Sequence, residues 1–226
     1  MGPLPVALRS STNVGDRDPD RRAAYRSYMP RPRKFVEEDV IAAAIAVFVS
    51  EGYGGTTIED LLLATGLGKQ SLYNSFGGKR QLFLRALDAS TTDVVSRMKE
   101  TLNAPSATPM DRIKAQLESL TVLLSSPEPM GLLFAKATME LADRDAEVAG
   151  LAEDVFRSLA AEYRGCLVEA CDNGEIAAGA DVDALAVYFV AVTRGMEILG
   201  RSGATRDVLR TVAYTALQAI PLPHPA

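Results

Sequence analysis

Apolar residues recur along most of the chain at spacings of three and four positions, which is the period of an amphipathic α-helix. The first such stretch begins at Phe35 and ends near Gly52, with apolar positions at Val36, Val40, Ile41, Ala44, Ile45, Phe48 and Val49. No stretch alternates strictly between apolar and polar residues, as a half-buried strand does. The pattern therefore predicts an all-α protein, and its breaks divide it into about nine helices.

Two short helices are predicted next, after the residues GYGGTT interrupt the pattern. Thr57 and Asp60 have the spacing of a capping box, so we expect them to cap a second helix that runs to about Thr65. Gly66 gives the backbone the freedom that a tight turn needs, and a third helix is expected to end near Ser75.

Six further helices are predicted beyond this point, separated by breaks that contain Pro, Gly or Ser. The fourth helix begins near Lys79, and the others cover about 110–125, 130–142, 148–172, 181–200 and 205–220. Asp181 or Asp183 is expected to cap the eighth helix, and Thr205 the ninth.

The charge of the chain is unevenly distributed. Residues 1–34 contain eight basic residues and no hydrophobic periodicity, so they are expected to form a flexible basic arm. Residues 1–85 carry 12 Lys+Arg and 9 Asp+Glu, whereas residues 86–226 carry 12 and 20. The net charge of −5 thus divides into a basic front and an acidic body, which favours a polyanion as partner of the front.

Residues 66–79, GLGKQSLYNSFGGK, combine apolar anchors with polar residues in a run too short for an independent core helix. Two short helices joined at a glycine, behind a supporting first helix, have the layout of a helix-turn-helix unit. The apolar anchors, which should pack on Ile45 and Phe48, are Leu61, Leu62, Leu67 and Leu72. The polar side chains left to enter a DNA major groove are Lys69, Gln70, Ser71 and Asn74.

This region resembles the N-terminal domain of the tetracycline-repressor (TetR) family of transcriptional regulators, over roughly residues 35–85. The features that carry the resemblance are Thr57, the leucines of the second helix, Gly66, Leu72-Tyr73, Phe76 and Lys79. The resemblance implies a DNA-binding domain over 35–80, a helical effector-binding and dimerisation domain over 81–220, and a tail over 221–226.

The resemblance also implies a role for each residue of the DNA-binding part. Thr57 and the N–H groups at the start of the second helix would hold a phosphate, and Tyr73 and Lys79 would bind phosphates beside the groove. The residues nearest base edges would be the four polar residues of the third helix, where Gln pairs with adenine and Lys with guanine. The arm would add minor-groove or backbone contacts through Arg31, Arg33 and Lys34.

Four residues depart from the common pattern of that family. Gly68 stands where a Ser or Thr cap is usual, and Gly77-Gly78 replaces more polar residues, so the third helix is expected to be frayed until DNA orders it. Asn74 replaces a frequent histidine, so the operator preference of relatives does not transfer.

The C-terminal helices predict a dimer. The helix over 181–200 is apolar on most sides, which exceeds what one packed face requires. Together with the last helix, it is expected to pair with its copy across a two-fold axis, so that residues of about 181–220 form a four-helix interface. A large core within one chain is the alternative. A dimer would make the operator a near-palindrome.

The resemblance further implies a small-molecule pocket among helices 4 to 8. Its candidate wall residues are Phe134, Met139, Phe156, Tyr163 and Tyr188. An apolar and aromatic lining is typical of ligand sites, and it points to an aromatic or lipophilic effector.

The sequence lacks the motifs that several other classes of function require. GLGKQS fails as a phosphate loop because Leu63 and Gln70 stand where Gly and Ser or Thr are needed, and no HExxH or GxSxG motif occurs. Cys166 and Cys171 lie about 140° apart around a helix, so packing is expected, with a thiol sensor as the alternative. We therefore expect no enzyme, metal or cofactor.

The longest apolar runs, over 40–49 and 184–192, are shorter than the roughly 20 residues that span a bilayer, so no membrane partner and a cytoplasmic location are expected.

Two alternatives to a DNA-binding regulator stay open at this point. One is a helical dimerisation module whose helix-turn-helix binds protein, and the other is an enzyme with a helical pocket. Steep weakening of binding by salt would distinguish DNA from an apolar protein partner.

Overall fold

The computed structural model describes residues 36–126 and 133–223, and within them the chain forms nine α-helices and no strand. These are α1 (Glu37–Gly55), α2 (Ile58–Thr65), α3 (Lys69–Phe76), α4 (Lys79–Leu102), α5 (Pro109–Leu124), α6 (Leu133–Leu141), α7 (Ala146–Asp172), α8 (Val182–Arg201) and α9 (Arg206–Gln218). The all-α prediction is confirmed. The predicted arm, with Arg31, Arg33 and Lys34, lies outside the described residues.

Helix boundaries follow the capping residues of the sequence. Thr57 and Asp60 form the predicted capping box at the start of α2, and Thr205 caps α9. Asp181, rather than Asp183, caps α8 by accepting a hydrogen bond from the N–H of Ala184. Each cap provides an acceptor for an N–H group that has none within its own helix.

The end of α1 differs from the prediction. We expected this helix to stop near Gly52, but a further turn continues to Gly55, with Gly52 itself in a left-handed conformation at φ 78°. The hydroxyl of Thr56 donates to the carbonyl of Gly52 at 2.6 Å, and that oxygen also accepts from the N–H of Thr56. These bonds close the extra turn after the break.

The helices α1, α2 and α3, here called the head, share a small apolar core. Phe48, Leu61 and Leu72 are fully buried in it, and Phe48 meets Phe83 of α4 edge to face at 5.1 Å between ring centroids. The other two predicted anchors, Leu62 and Leu67, are half-buried.

The helices α5 to α9, here called the body, pack around α7 and the first part of α8. Tyr163 of α7 is fully buried and stacks on Phe189 of α8 at 5.3 Å. Helix α4 joins the two parts, since it contacts α1 and α3 of the head as well as α5, α6 and α7 of the body. No helix in the described part of the chain has the length and apolar character to cross a membrane.

Candidate nucleic-acid interface

Helix α3 has one apolar and one polar side. Leu72 and Phe76 are buried and the helix contacts α4, which fixes how α3 is rotated. The opposite side exposes all four side chains predicted to face the groove: Lys69, Gln70, Ser71 and Asn74. Lys69–Phe76 thus forms a two-turn helix that presents its polar groups on one side, and its expected fraying in the absence of DNA stays a prediction.

Two of these polar groups are joined to each other. The Nε2 of Gln70 donates to the Oδ1 of Asn74 at 2.9 Å, along one face of the helix. The bond does not use the Oε1 of Gln70 or the N–H groups of Asn74. Side-chain amides of Gln and Asn can form paired hydrogen bonds with adenine. This contact was not predicted, although residues four positions apart are neighbours on a helix surface.

The turn after α3 depends on two adjacent glycines with positive φ. Gly77 (φ 77°) closes α3 by donating its N–H to the carbonyl of Tyr73 at 2.9 Å. Gly78 (φ 112°) is buried beneath the ring of Tyr73, where an added Cβ would lie 3.1 Å from a ring carbon. The glycines thus hold Tyr73 at the rim, next to the start of α4, while Gly68 gives α3 no side-chain cap, as predicted.

Lys79 begins α4 and is held by an aromatic group. Its Nζ lies 4.4 Å from the centre of the Tyr53 ring, and that ring packs on Phe83 at 4.7 Å. Because the first N–H groups of a helix are free and carry partial positive charge, this end of α4 suits a phosphate. Lys79 and Tyr73 both lie beside this helix end, and their binding of a phosphate stays a prediction.

The start of α2 is less open to a phosphate than the sequence suggested. The Thr57 hydroxyl donates to the Asp60 carboxylate at 2.7 Å, and the Thr57 N–H donates to the same oxygen at 2.8 Å. These bonds lower the pKa of Asp60, so its charge stays at the helix N-terminus. A phosphate here would bind the remaining N–H groups of the first turn, with the Thr57 hydroxyl already engaged.

The basic residues of α3 and of the first two turns of α4 divide into cations with and without an ion-pair partner. Arg85 bonds Glu37 at 2.6 Å, and Arg80 bonds Glu147 at 2.7 Å and also Asp145 of the body. Within the described residues Lys69 and Lys79 form no ion pair. These two lysines begin α3 and α4, and their contact with DNA stays a prediction.

Four of the five residues proposed as pocket walls pack in aromatic pairs, and the fifth is exposed. Phe134 packs on Phe156 at 5.4 Å, and Tyr163 and Tyr188 both contact Phe189. Met139 is 66% exposed and lines a surface groove with Ile198. These assignments stay a prediction.

A different set of residues lines a cavity of about 190 Å³ between α4, α5 and α8. Its polar wall includes Arg194 and Glu197, which form an ion pair of 2.8 Å. Burial raises the pKa of Glu197 to about 7 despite the nearby charges of Arg194 and Arg201. Sequence reasoning missed both residues, because charged side chains are ordinarily on the surface.

The raised pKa of Glu197 predicts a specific pH dependence. The folded state holds the proton more tightly than the unfolded state, so the stabilisation is complete below the ordinary carboxyl pKa and is lost as the pH rises through 7. Relative to Glu197→Gln, the wild-type protein should lose about 2 kcal/mol of unfolding free energy between pH 5 and pH 7. Urea unfolding of both proteins at each pH measures this, and parallel curves would contradict the burial effect.

Cys166 packs in the core, as expected from the sequence. Cys166 is buried, and burial raises its pKa to about 11, which keeps the thiol protonated. Its Sγ lies 3.2 Å from the carbonyl oxygen of Pro109. The described residues contain no group of three or more His, Cys, Asp or Glu that could hold a metal ion.

Known proteins with similar sequences are bacterial regulators. The chain is 28% identical over 193 residues to the uncharacterized HTH-type transcriptional regulator YezE of Bacillus subtilis (strain 168), covering 85% of this chain and 100% of the relative. It is 23% identical over 185 residues to the HTH-type transcriptional repressor DhaR of Mycobacterium sp. (strain GP1), covering 80% and 92%. The matched proteins are regulators rather than enzymes.

Solved structures share the fold over nearly their whole length. A cysteine mutant of the TetR family transcriptional regulator CifR, complexed with 26-bp operator DNA, has a TM-score of 0.76 at 24% identity, covering 85% of this chain and 100% of that one. A TetR transcriptional regulator from Chloroflexus aurantiacus J-10-FL has a TM-score of 0.73 at 29% identity, covering 82% and 96%.

Two family models match the two parts of the chain. The model of bacterial regulatory proteins of the tetR family matches residues 40–86, which include α2, α3 and the start of α4. The model of the tetracyclin repressor-like C-terminal domain matches residues 109–216, which include α5 to α8 and most of α9. The chain therefore belongs to the TetR family of DNA-binding transcriptional regulators.

Proposed function

We propose that this protein is a cytoplasmic repressor that binds a near-palindromic operator as a homodimer and is released by a small-molecule effector. The observation that carries the proposal is the exposed polar side of α3. This helix begins with the cation Lys69, and a second cation, Lys79, begins α4. The similar structure of the CifR mutant, which is complexed with operator DNA, supports DNA binding by the head.

The outer side of α8 and α9 supports the homodimer. Helix α8 packs its inner side on α7, yet it also exposes apolar residues at helical spacing, among them Val187 (63% exposed) and Ile198 (45%). Helix α9 exposes Val208 and Tyr214. A stripe of this kind is typical of a surface that a second copy covers. We infer that α8 and α9 of two chains form the four-helix interface.

The head and the body are joined by hydrogen bonds that would carry an effector signal. Lys136 of α6 donates its Nζ to the carbonyls of Val49 (2.8 Å) and Ser50 (2.6 Å) at the end of α1. Glu140, one turn later, accepts from the N–H groups of Tyr53 (2.9 Å) and Gly54 (2.6 Å). We call these four bonds the α6 clamp. A body rearranged by an effector would move the head through this clamp and through α4.

Release by an effector requires different affinities for two arrangements of the dimer, since a ligand shifts an equilibrium only by that difference. The cavity between α4, α5 and α8 touches α4 from Val94 to Thr101, on the helix that begins with Lys79. A ligand there that favours one position of α4 would change the spacing of the two α3 helices. Operator affinity would fall when that spacing no longer fits two major grooves.

Asn74 and Lys79 are expected to have different roles on DNA. Asn74→Ala should relax the base preference at one position of each half-site by about 1 to 3 kcal/mol, because a paired amide contact with a base is lost. Lys79→Ala should weaken all duplexes alike and lower the salt slope of binding by about one, because it removes one phosphate contact. Titrations of a set of single-base operator variants measure both effects.

Lys114→Ala is the control for these variants, since Lys114 is an exposed lysine on α5 of the body and has no proposed contact with DNA. If Asn74→Ala and Lys79→Ala weakened every duplex equally, the division between base and phosphate contacts would be wrong. If none of the proteins showed salt-dependent binding between ~50 and ~200 mM salt, a protein partner would replace DNA in the proposal.

A further inference from the structure

Gln70 and Asn74 form one hydrogen-bonded unit on the exposed side of α3. The Nε2 of Gln70 donates to the Oδ1 of Asn74 at 2.9 Å, and both side chains are exposed. Residues four positions apart are neighbours on a helix surface, about 6 Å apart along the axis. Leu72 and Phe76 are buried on the opposite side of the helix. Both amides therefore extend from a backbone whose rotation is fixed.

The bond gives the two amides different hydrogen-bonding patterns. Gln70 keeps a free acceptor, Oε1, and a second N–H group, which is the pattern that pairs with adenine. The Oδ1 of Asn74 is directed to Gln70, so Asn74 presents its two N–H donors to other partners. Two donors match the O6 and N7 acceptors of guanine, as a lysine ammonium does. They do not match adenine, whose N6 amino group is itself a donor.

The distance between the amides suits two successive base pairs. Their bonded atoms are 2.9 Å apart, and stacked base pairs are separated by about 3.4 Å. Each amide can therefore face a base pair of its own while the bond between the amides is kept. The bond is exposed in the free protein, and it would be shielded from water in a groove, where a hydrogen bond is stronger.

We propose that Gln70 and Asn74 together read one step of each half-site, an A·T pair next to a G·C pair, and that Gln70 sets the preference of Asn74. Gln70 binds the adenine directly. Because it also holds the Oδ1 of Asn74, it makes Asn74 select guanine and reject adenine. The assignment rests on the function proposed above, since it requires α3 to lie in a major groove.

The direction of the bond makes the two residues unequal. Without Gln70, the Oδ1 of Asn74 is free, and this amide regains the pattern that pairs with adenine. Without Asn74, Gln70 still has its acceptor and its N–H groups, so its own preference stays. Two amides that read DNA independently would each affect one base pair. A change at two base pairs on removal of Gln70 alone is therefore the signature of the bond.

Duplexes that differ only at these two base pairs test the assignment. The parent duplex is the sequence that the full-length protein selects from a random pool, and each of the two pairs is replaced in turn by the other three. We expect the step to contain an A·T pair next to a G·C pair. Replacement of either pair should weaken binding of the wild-type protein by about tenfold.

Gln70→Ala should change the preference at both base pairs. The preference for adenine should fall below about twofold, and the preference for guanine over adenine at the neighbouring pair should fall below about threefold or reverse. Asn74→Ala should remove the guanine preference alone. The double variant should match Asn74→Ala at the guanine pair. Alanine is the best helix former, so circular dichroism should show the same helix content in all three variants.

Lys69→Ala is the matched control, because Lys69 is exposed at the start of the same helix and takes no part in the bond between the amides. Its removal should weaken binding and lower the salt dependence. The preference for guanine over adenine next to the A·T pair should stay within about twofold of the wild-type value.

The proposal is overturned if Gln70→Ala changes only one base pair, or if Lys69→Ala removes the guanine preference. It is also overturned if Gln70→Ala removes the preference for guanine and Asn74→Ala the preference for adenine. An enriched inverted repeat without an A·T pair next to a G·C pair would contradict this assignment alone. A pool without any preferred sequence would contradict the proposed function and this assignment together.

Discussion

Val187→Glu is expected to separate the dimer and to weaken operator binding by about 100-fold or more. Val187 is 63% exposed on the outer side of α8, where the proposed two-fold interface would bury it. In a dimer, each copy of the variant would bury a carboxylate without a partner, which costs more than a typical apolar contact contributes. A monomer then holds one half-site without the effective concentration that the second half-site provides.

Light scattering after size-exclusion chromatography gives the mass of the variant, and titration with operator duplex gives its affinity. Leu222→Glu is the control, because Leu222 is similarly exposed (71%) but lies beyond the end of α9. The control should stay dimeric and bind normally. A Val187→Glu protein that is still dimeric and binds DNA with unchanged affinity would show that α8 does not form the interface.

Gly52→Ala is expected to lower the unfolding free energy by about 3 to 4 kcal/mol. Gly52 has a φ of 78°, which alanine adopts only with strain. An added Cβ would also lie 2.7 Å from the Oε2 of Glu140, so the carboxylate would have to leave the backbone N–H groups that it binds. The substitution would thereby open the acidic half of the α6 clamp.

Gly55→Ala is the matched control for this prediction. It lies three residues further along α1, has no positive φ, and its added Cβ would make only an ordinary contact of 3.6 Å with Glu51. Urea unfolding of both variants measures the difference in unfolding free energy. Equal stabilities would contradict the importance of the break at Gly52 and of the contact with Glu140.

Local patterns in the sequence were enough to predict the helices and the orientation of α3. Thr57 and Asp60 form the predicted capping box, because a capping box joins residues only three apart. The burial of Leu72 and the exposure of Asn74 follow from the period of the helix, since the two residues lie on different sides of it. These predictions needed no knowledge of the rest of the fold.

Contacts between distant residues could not be predicted in this way. The α6 clamp joins residues 86 and 87 positions apart, and Arg80 reaches Asp145 across 65 positions. In the sequence, each of these charged residues looks like an ordinary surface residue. The pocket walls are hard to predict for a related reason: aromatic residues suggest a wall, but a fully buried aromatic such as Tyr163 also suits a packed core, so these assignments stay a prediction. The burial of Arg194 and Glu197 depends on how α8 lies beside α4 and α5, which the local sequence pattern does not predict.

Selection of duplexes from a random pool by the purified protein, at low ionic strength and without small molecules, tests the central claim most directly. A dimeric regulator with α3 in the major groove should enrich one inverted repeat whose half-site centres lie about 10 bp, or a multiple of that distance, apart. Enrichment should disappear with Val187→Glu and change at one position with Asn74→Ala. A pool that shows no preferred sequence over random competitor would contradict the account.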